Sequence, residues 1–285
     1  MVNYTLYRIG QFIALHSPIK KAYKTAVFVS DIHYLFSFKD RRTTGENLKA
    51  LFPEKTGREI RRIRITMFRN FAKYLVDFFR FSKLDNEYIK KNIKLENMEY
   101  IDQVLARGKG AITVTAHLGN WELGGVVISL LGYPFWAVAL PHKSKKVDNF
   151  FNAQRQMKGV KVIPVGRAVR QSLEVLKSNN VLALVGDRDF SESGLTMEFF
   201  GKPATFPLGP AALALKTGAT IIPGFMLRNS DDTFTLRMEK PLFFTPSGDK
   251  EKDMLSLTAA YRDVFEEYIR KYPDQWYMFR RFWKK

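Results

Sequence analysis

Not one cysteine occurs among the 285 residues. Disulfides, thiol nucleophiles and thiolate metal sites are therefore excluded, which accords with a reducing compartment. Also missing is any apolar run of about 18 residues or more, the length a membrane-crossing helix needs. The nearest candidate, residues 4–38, is interrupted by Arg8, His16, Pro18, a lysine cluster, Asp31 and His33. It lacks the clean apolar core and cleavage pattern of a signal peptide. Neither a GxGxxG nor a Walker pattern is present, so no dinucleotide or NTP cofactor is expected, and nothing has the ligand spacing of a zinc site. Negative charge is scarce: 28 Asp and Glu stand against 46 Lys and Arg, a formal net charge of +18. Such an excess favours anionic partners, which means nucleic acid, an anionic membrane or an acidic carrier protein. No helix-turn-helix, RRM-like or zinc-finger signature supports nucleic acid, so no nucleic-acid partner is expected.

What is present begins with helices. Residues 4–38 read as one or two amphipathic helices that either lie on a membrane surface or pack against the rest of the protein. After them, Thr56 and Glu59 have the spacing of a capping box. Ile60, Ile63, Met67, Phe71, Tyr74, Leu75 and Phe78 follow at helical intervals. Eight basic residues between Arg58 and Lys83 face only Glu59 and Asp77. A helix of this kind suits anionic lipid, although most amphipathic helices bury their apolar face in their own protein. We therefore expect a membrane-proximal helical region over 1–55 and an α/β domain over 56–285. In that second part strands and helices alternate: "AITVT", "PFWAVAL", "VKVIPV", "VLALVGDRD", "TIIPGFML" and "TFTLRMEKPLFF" read as strands. The fold class is α/β, with helices covering the faces of one sheet.

The stretch "TVTAHLGNWELGG" (113–125) carries the first candidate chemistry. A short β-branched run ends at His117, Gly119-Asn120 breaks it, and a helical pattern starts at Trp121. His117 is thus expected at the carboxyl end of a strand, where open α/β sheets bind ligands. Glu122 falls in the first helical turn. Within one helix the two would stand about 140° apart, but the intervening turn lets the carboxylate fold back toward the ring. Such a pair can act as a general base and its orienting carboxylate. The spacing alone is weak evidence, and a structural histidine is the alternative. Asp187-Arg188-Asp189 ends another strand, either as a plain turn or as carboxylates that orient anion-holding groups. Gly201, Pro203, Pro207 and Gly209 mark a loop entering a helix whose free amides suit an anion. Phe199, Phe200 and Phe206 there fit an acyl-chain channel or ordinary core packing. Lys143, Lys145, Lys146, Arg167, Arg170, Arg280 and Arg281 are either phosphate-recognising clusters or solvated surface.

Taken together, four blocks resemble the bacterial late acyltransferases of lipid A biosynthesis, the lauroyl/myristoyl class of the glycerolipid acyltransferases. They are "ENLKALFPEKTGREIRRIRITMFRNFAKYLVDFF", "ARGKGAITVTAHLGNWE", "FFGKPATFPLGPAALALKTGATIIP" and "PDQWYMFRRFW". The resemblance implies a glycerolipid-acyltransferase-like mixed sheet flanked by helices, and a His-x4-Asp/Glu catalytic pair at His117 and Glu122. Gly119, Asn120, Arg155, Asp187, Asp189, Gly201 and Gly209 become candidates for substrate binding or for stabilising an oxyanion. Arg188 stands where the family usually has Gln, and Tyr277-Met278-Phe279 where relatives often carry a His. The implied reaction moves an acyl chain from a thioester, acyl carrier protein rather than coenzyme A, to a hydroxyl of a lipid A precursor. It requires no metal and no resident cofactor. The alternatives are a phospholipid or glycolipid acyltransferase with the same pair, and a non-catalytic basic protein that binds membrane or nucleic acid. The expected partners are acyl carrier protein, an anionic lipid acceptor and the membrane surface. The expected location is peripheral or monotopic, on the cytoplasmic face of a bacterial inner membrane.

Overall fold

The computed structural model describes residues 2–189 and 194–283. Helices α1 (Val2–His16), α2 (Ile19–Phe36) and α3 (Phe38–Leu51) open the chain and pack on α4 (Gly57–Phe79). α4 begins at the expected capping box: the Glu59 N–H donates to the Thr56 hydroxyl, and the Thr56 N–H donates to Glu59 Oε2 at 2.8 Å. Its inner stripe of Ile60, Met67, Tyr74 and Phe78 is buried. No helix among the described residues is long and apolar enough to cross a membrane.

The α/β part follows as α5 (Asn86–Asn92), β1 (Ile93–Glu96), α6 (Glu99–Leu105), β2 (Ala111–Thr115), α7 (Trp121–Leu130), β3 (Phe135–Ala139), α8 (Lys145–Gln156) and β4 (Lys161–Pro164). Then come α9 (Ala168–Lys177), β5 (Val181–Val185), the hairpin β6 (Leu195–Phe199) and β7 (Lys202–Phe206), α10 (Gly209–Thr217), β8 (Thr220–Arg228), β9 (Phe234–Met238) and α11 (Lys250–Lys271). The main sheet has seven strands in the order β1-β9-β8-β2-β5-β3-β4. Every neighbouring pair is parallel except β8 with β9. β2 and β5 are adjacent, and their crossovers leave in opposite directions, toward β3 and toward β8. That is the switch point at which open α/β sheets form a crevice.

Both faces of the sheet are covered, as parallel strands require. Ile112 and Val114 of β2 point into one cluster with Leu182, Ile221, Ala211 and Phe265. Ala111, Val181 and Ile222 join the other, with Val126 and Val127 of α7.

Two expectations change. The stretch containing Gly201 and Pro203 is the β6–β7 hairpin rather than a loop, with Gly201 in its turn at φ 71°. Phe199 and Phe206 are fully buried in the core, so packing accounts for them and they wall no channel. The helices before residue 56 pack on the remainder: Leu48 and Leu51 enter the main core. The Asn47 amide donates to the Met278 and Arg280 carbonyls at 3.0 and 2.7 Å.

Candidate active site

β2 and β5 run in parallel register, with Thr115 opposite Val185. Two residues beyond each, His117 and Asp187 therefore emerge side by side. Asp187 Oδ1 lies 2.6 Å from His117 Nδ1, and Oδ2 accepts the His117 backbone N–H at 3.0 Å. The Trp276 indole N–H donates to the same Oδ2 at 3.0 Å. Burial would push this carboxyl up. The facing imidazole, with help from Arg188 and Trp276, more than offsets that and holds it well below the usual range. A carboxylate so held accepts a proton-bearing Nδ1, which leaves Nε2 as the imidazole's proton acceptor. The Asp187 side chain is 0% exposed and that of His117 is 19% exposed, so the imidazole meets the chamber and the carboxylate does not.

Glu122 does not fold back onto the ring. α7 starts at Trp121, with Asn120 Oδ1 capping it by accepting the Leu123 N–H at 3.1 Å. From this first turn Glu122 meets Arg155 of α8, which donates from Nε at 2.8 Å and from Nη2 at 2.5 Å. Both carboxylate oxygens engage one guanidinium, the fork geometry that makes such pairs strong. Burial opposes Arg155's charge, but Glu122 outweighs it and raises the arginine's pKa.

Gly119 is required by geometry. Its φ is 64°, and a Cβ there would lie 2.1 Å from the Met226 carbonyl oxygen. The Gly119 N–H donates to Gln275 O at 2.9 Å and the Asn120 N–H to Met226 O at 2.7 Å. Neither amide is free for an oxyanion in this arrangement. The Asn120 side-chain amide donates to Asp77 Oδ2 at 2.9 Å.

These groups open on a chamber of about 980 Å³, which His117, Trp121, Glu122, Arg155, Arg188 and Asp189 line at its polar end. Its remaining walls are largely apolar, from β3 (Ala137, Val138), β5 (Ala183, Leu184), α9 (Val169, Leu173) and α10 (Ala212, Leu213). Gly209 lines it at the start of α10, whereas Gly201 does not. Asp189 is also held locally, its Oδ2 accepting the Gly194 N–H at 2.9 Å. A chamber of this size and polarity suits one long apolar chain whose reacting end faces a few polar groups. No group of three or more potential metal ligands clusters among the described residues.

The profile of bacterial lipid A biosynthesis acyltransferases matches residues 2–285. The chain belongs to this family. It is 30% identical over 218 residues to a phosphatidylinositol mannoside acyltransferase of Mycolicibacterium smegmatis, covering 75% of this chain and 70% of that protein. Against the enzyme of the same name from Mycobacterium tuberculosis it is 27% identical over 230 residues, covering 75% and 68%. A lipid A biosynthesis acyltransferase of Haemophilus influenzae is 24% identical over 240 residues, covering 84% and 74%. The protein is therefore an acyltransferase of lipid biosynthesis.

Behind the His117 turn lies a second charged cluster that sequence patterns do not reveal. Asp77 of α4 accepts from Arg228 of β8, from the Tyr23 hydroxyl of α2 and from Asn120. Burial opposes the charge on Arg228, and the Asp77 carboxylate outweighs it and raises its pKa. Gln275 seals the same corner, its amide donating to Arg228 O at 2.8 Å and its oxygen accepting the Arg228 N–H at 2.9 Å. Asp77 falls in the basic helix and Trp276 in the aromatic tail, but nothing in either segment marks them as partners of the His117 turn.

Proposed function

We propose that this acyltransferase moves a fatty acyl chain from a thioester, acyl carrier protein rather than coenzyme A, to a hydroxyl of a sugar-bearing anionic lipid such as a lipid A precursor. The observation that carries this reading is the His117–Asp187 pair at the mouth of an apolar chamber. His117 Nε2 takes the proton of the acceptor hydroxyl as its oxygen attacks the thioester carbonyl carbon. Asp187 holds the ring orientation and stabilises the imidazolium. The tetrahedral intermediate then breaks its C–S bond, and the imidazolium returns the proton to the departing sulfur. Transfer is direct, since the chain has no cysteine and no serine in a nucleophile-elbow sequence. Glu122 fixes Arg155 beside the reacting centre, and that guanidinium is the candidate donor to the developing oxyanion. Neither a metal nor a resident cofactor has a part in this scheme.

The acceptor's tails have a route from the N-terminal helices. A second apolar cleft of about 390 Å³, between α1, α2 and α4, shares Phe71, Leu75 and Phe279 with the chamber wall. Leu6, Ile9 and Phe12 of α1, and Phe28, Ile32 and Phe36 of α2, are exposed around it. Lys20, Lys21 and Lys24 beside them suit anionic headgroups. Peripheral attachment to the cytoplasmic face of a bacterial inner membrane fits this surface. A phosphatidylinositol mannoside is the second acceptor reading, because the relatives of that name share more identity with the chain than the lipid A enzyme does.

The test is acyl transfer by purified wild type and His117→Ala, using acyl carrier protein and coenzyme A thioesters with each acceptor class. A folded His117→Ala should lose about 10²- to 10⁴-fold in turnover, and lipids from cells without the gene should lack one acyl chain. Near wild-type turnover in that variant would overturn the mechanism. No transfer from any thioester would overturn the function.

A further inference from the structure

Among the described residues, Arg188 has little to compensate its charge. It lines the chamber that His117 also lines. Nη2 donates to the Tyr277 carbonyl at 2.5 Å, while Nε is buried with no hydrogen-bond partner. Nη1 has no acceptor among the described residues. Asp187 is the adjacent negative group, but its oxygens are engaged by His117 and Trp276, and Asp189 accepts from Gly194. Burial and the neighbouring positive charge of Arg280 push the Arg188 pKa down, against the pull of Asp187. Arg280 lines the same chamber and makes no ion pair with the described residues. A buried guanidinium that no described carboxylate hydrogen-bonds is costly, and its remaining N–H donors match phosphate oxygens.

We propose that Arg188, assisted by Arg280, is a phosphate-binding site inside the reaction chamber, so that a substrate reaches His117 with a phosphate docked on this wall. The site rests on the thioester-to-lipid reading, and both substrates of that reaction offer the group. The donor carries a phosphodiester on its pantetheine arm, and an anionic lipid acceptor carries phosphate in its headgroup. In either case Arg188 acts by binding and registers the reacting carbon or hydroxyl against Nε2. A glutamine there keeps an amide donor for Tyr277 O but removes the charge. It therefore separates structural support from phosphate recognition.

The experiment measures binding without turnover, which keeps it independent of whether acyl transfer occurs. An S-acyl 4′-phosphopantetheine and its dephosphorylated counterpart are titrated onto wild type, Arg188→Gln and Arg280→Gln. In a second arm, phosphatidylinositol and a neutral glycosyl diacylglycerol are compared, each in phosphatidylcholine vesicles. Lys202→Gln, which removes an exposed charge on β7, serves as the control for net charge. Wild type should prefer the phosphorylated member of one pair by about 10- to 100-fold, the range for hydrogen bonds to a charged group. Arg188→Gln should abolish most of that preference, Arg280→Gln several-fold of it, and Lys202→Gln little. Loss in the first arm assigns the donor phosphate, and loss in the second assigns the acceptor's. If Arg188→Gln does not fold, the proposal stands or falls on Arg280→Gln. Equal affinities within both pairs for wild type, or a preference unchanged in the folded arginine variants, would overturn it. Failure of acyl transfer by a wild type that still shows the preference would count against the proposed function alone.

Discussion

Asp187 and Glu122 both hold a cationic or proton-bearing partner that lines the chamber, but their surroundings leave different atoms free. Asp187 is sealed beneath the site, and three donors fill its oxygens; the ring it holds keeps one nitrogen open. Glu122 and Arg155 are 13% and 11% exposed, and both carboxylate oxygens are taken up by the guanidinium while the guanidinium keeps further N–H groups. In the proposed mechanism the first pair moves a proton and the second holds a cation in place. Separation along the chain is a poor guide to this division. Glu122 is five positions from His117 yet turned toward α8, while Asp187 is 70 positions away and becomes a neighbour through the pairing of β2 with β5.

The largest effect expected from breaking this contrast is at Asp187. Asp187→Asn keeps the shape but removes the charge that fixes the Nδ1 proton and stabilises the imidazolium. Turnover should fall by about 10²- to 10⁴-fold, with the circular dichroism spectrum retained. If single-turnover acyl transfer stays within a few-fold of wild type, the orienting role belongs elsewhere.

Next in size is a loss of stability at the buried cluster behind the turn. The Arg228 and Asp77 side chains are 5% and 3% exposed. Asp77→Asn would leave the guanidinium buried without its counter-charge, at a cost of about 3–5 kcal/mol. Denaturant titration should report that loss, and a change below about 1 kcal/mol would mean the site relaxes by admitting water. Since Asn120 donates to Asp77, residual turnover should fall with stability rather than independently of it.

A smaller effect is expected at Glu122. Glu122→Gln weakens the hold on Arg155, and turnover should drop by about 10- to 100-fold. Pairing it with Arg155→Met should cost little more than either change alone, because both remove one interaction. Pairing it with Asp187→Asn should cost nearly the sum in free energy. Coupling between Glu122 and Asp187 as strong as that between Glu122 and Arg155 would erase the distinction between the two pairs.

These partnerships mark where sequence reading stopped. Local signals located the end of β2, the Gly119-Asn120 turn, the start of α4 at Thr56 and the end of α10, where Gly218 closes the helix at φ 76°. Each of those is decided within a few residues by capping, glycine conformation or periodicity. The carboxylate on His117 is decided by which strands lie side by side, and no local pattern encodes that β5 inserts between β2 and β3. The β6–β7 hairpin was hidden for a related reason: Gly201 and Pro203 look like loop residues, but they lie at its tight turn and next to it. The four residues of β1, Ile93–Glu96, alternate too briefly to stand out from the chain around them.

The smallest effect sharpens the contrast between the chamber and the outer surface of α1 and α2. The chamber's apolar walls are enclosed, whereas the apolar side chains of α1 and α2 face outward although both helices pack on α4. Phe28 is 65% exposed and Phe36 74%, while the inward positions hold Ala22, Tyr23 and Tyr34. Such helices place their larger apolar groups where a monomeric soluble protein has no use for them. If that face enters an anionic bilayer, Phe28→Ser should weaken vesicle binding by about tenfold. It should leave thermal stability unchanged, since the ring contributes little to the core. High salt should weaken binding further by screening Lys20, Lys21 and Lys24 from the headgroups. Turnover of an acceptor dissolved in detergent should be untouched in the same variant, because the chamber does not include Phe28. Vesicle binding that ignores both the substitution and salt would take α1 and α2 out of the contact and leave the basic sheet edge around Lys145 and Arg167 as the surface to test.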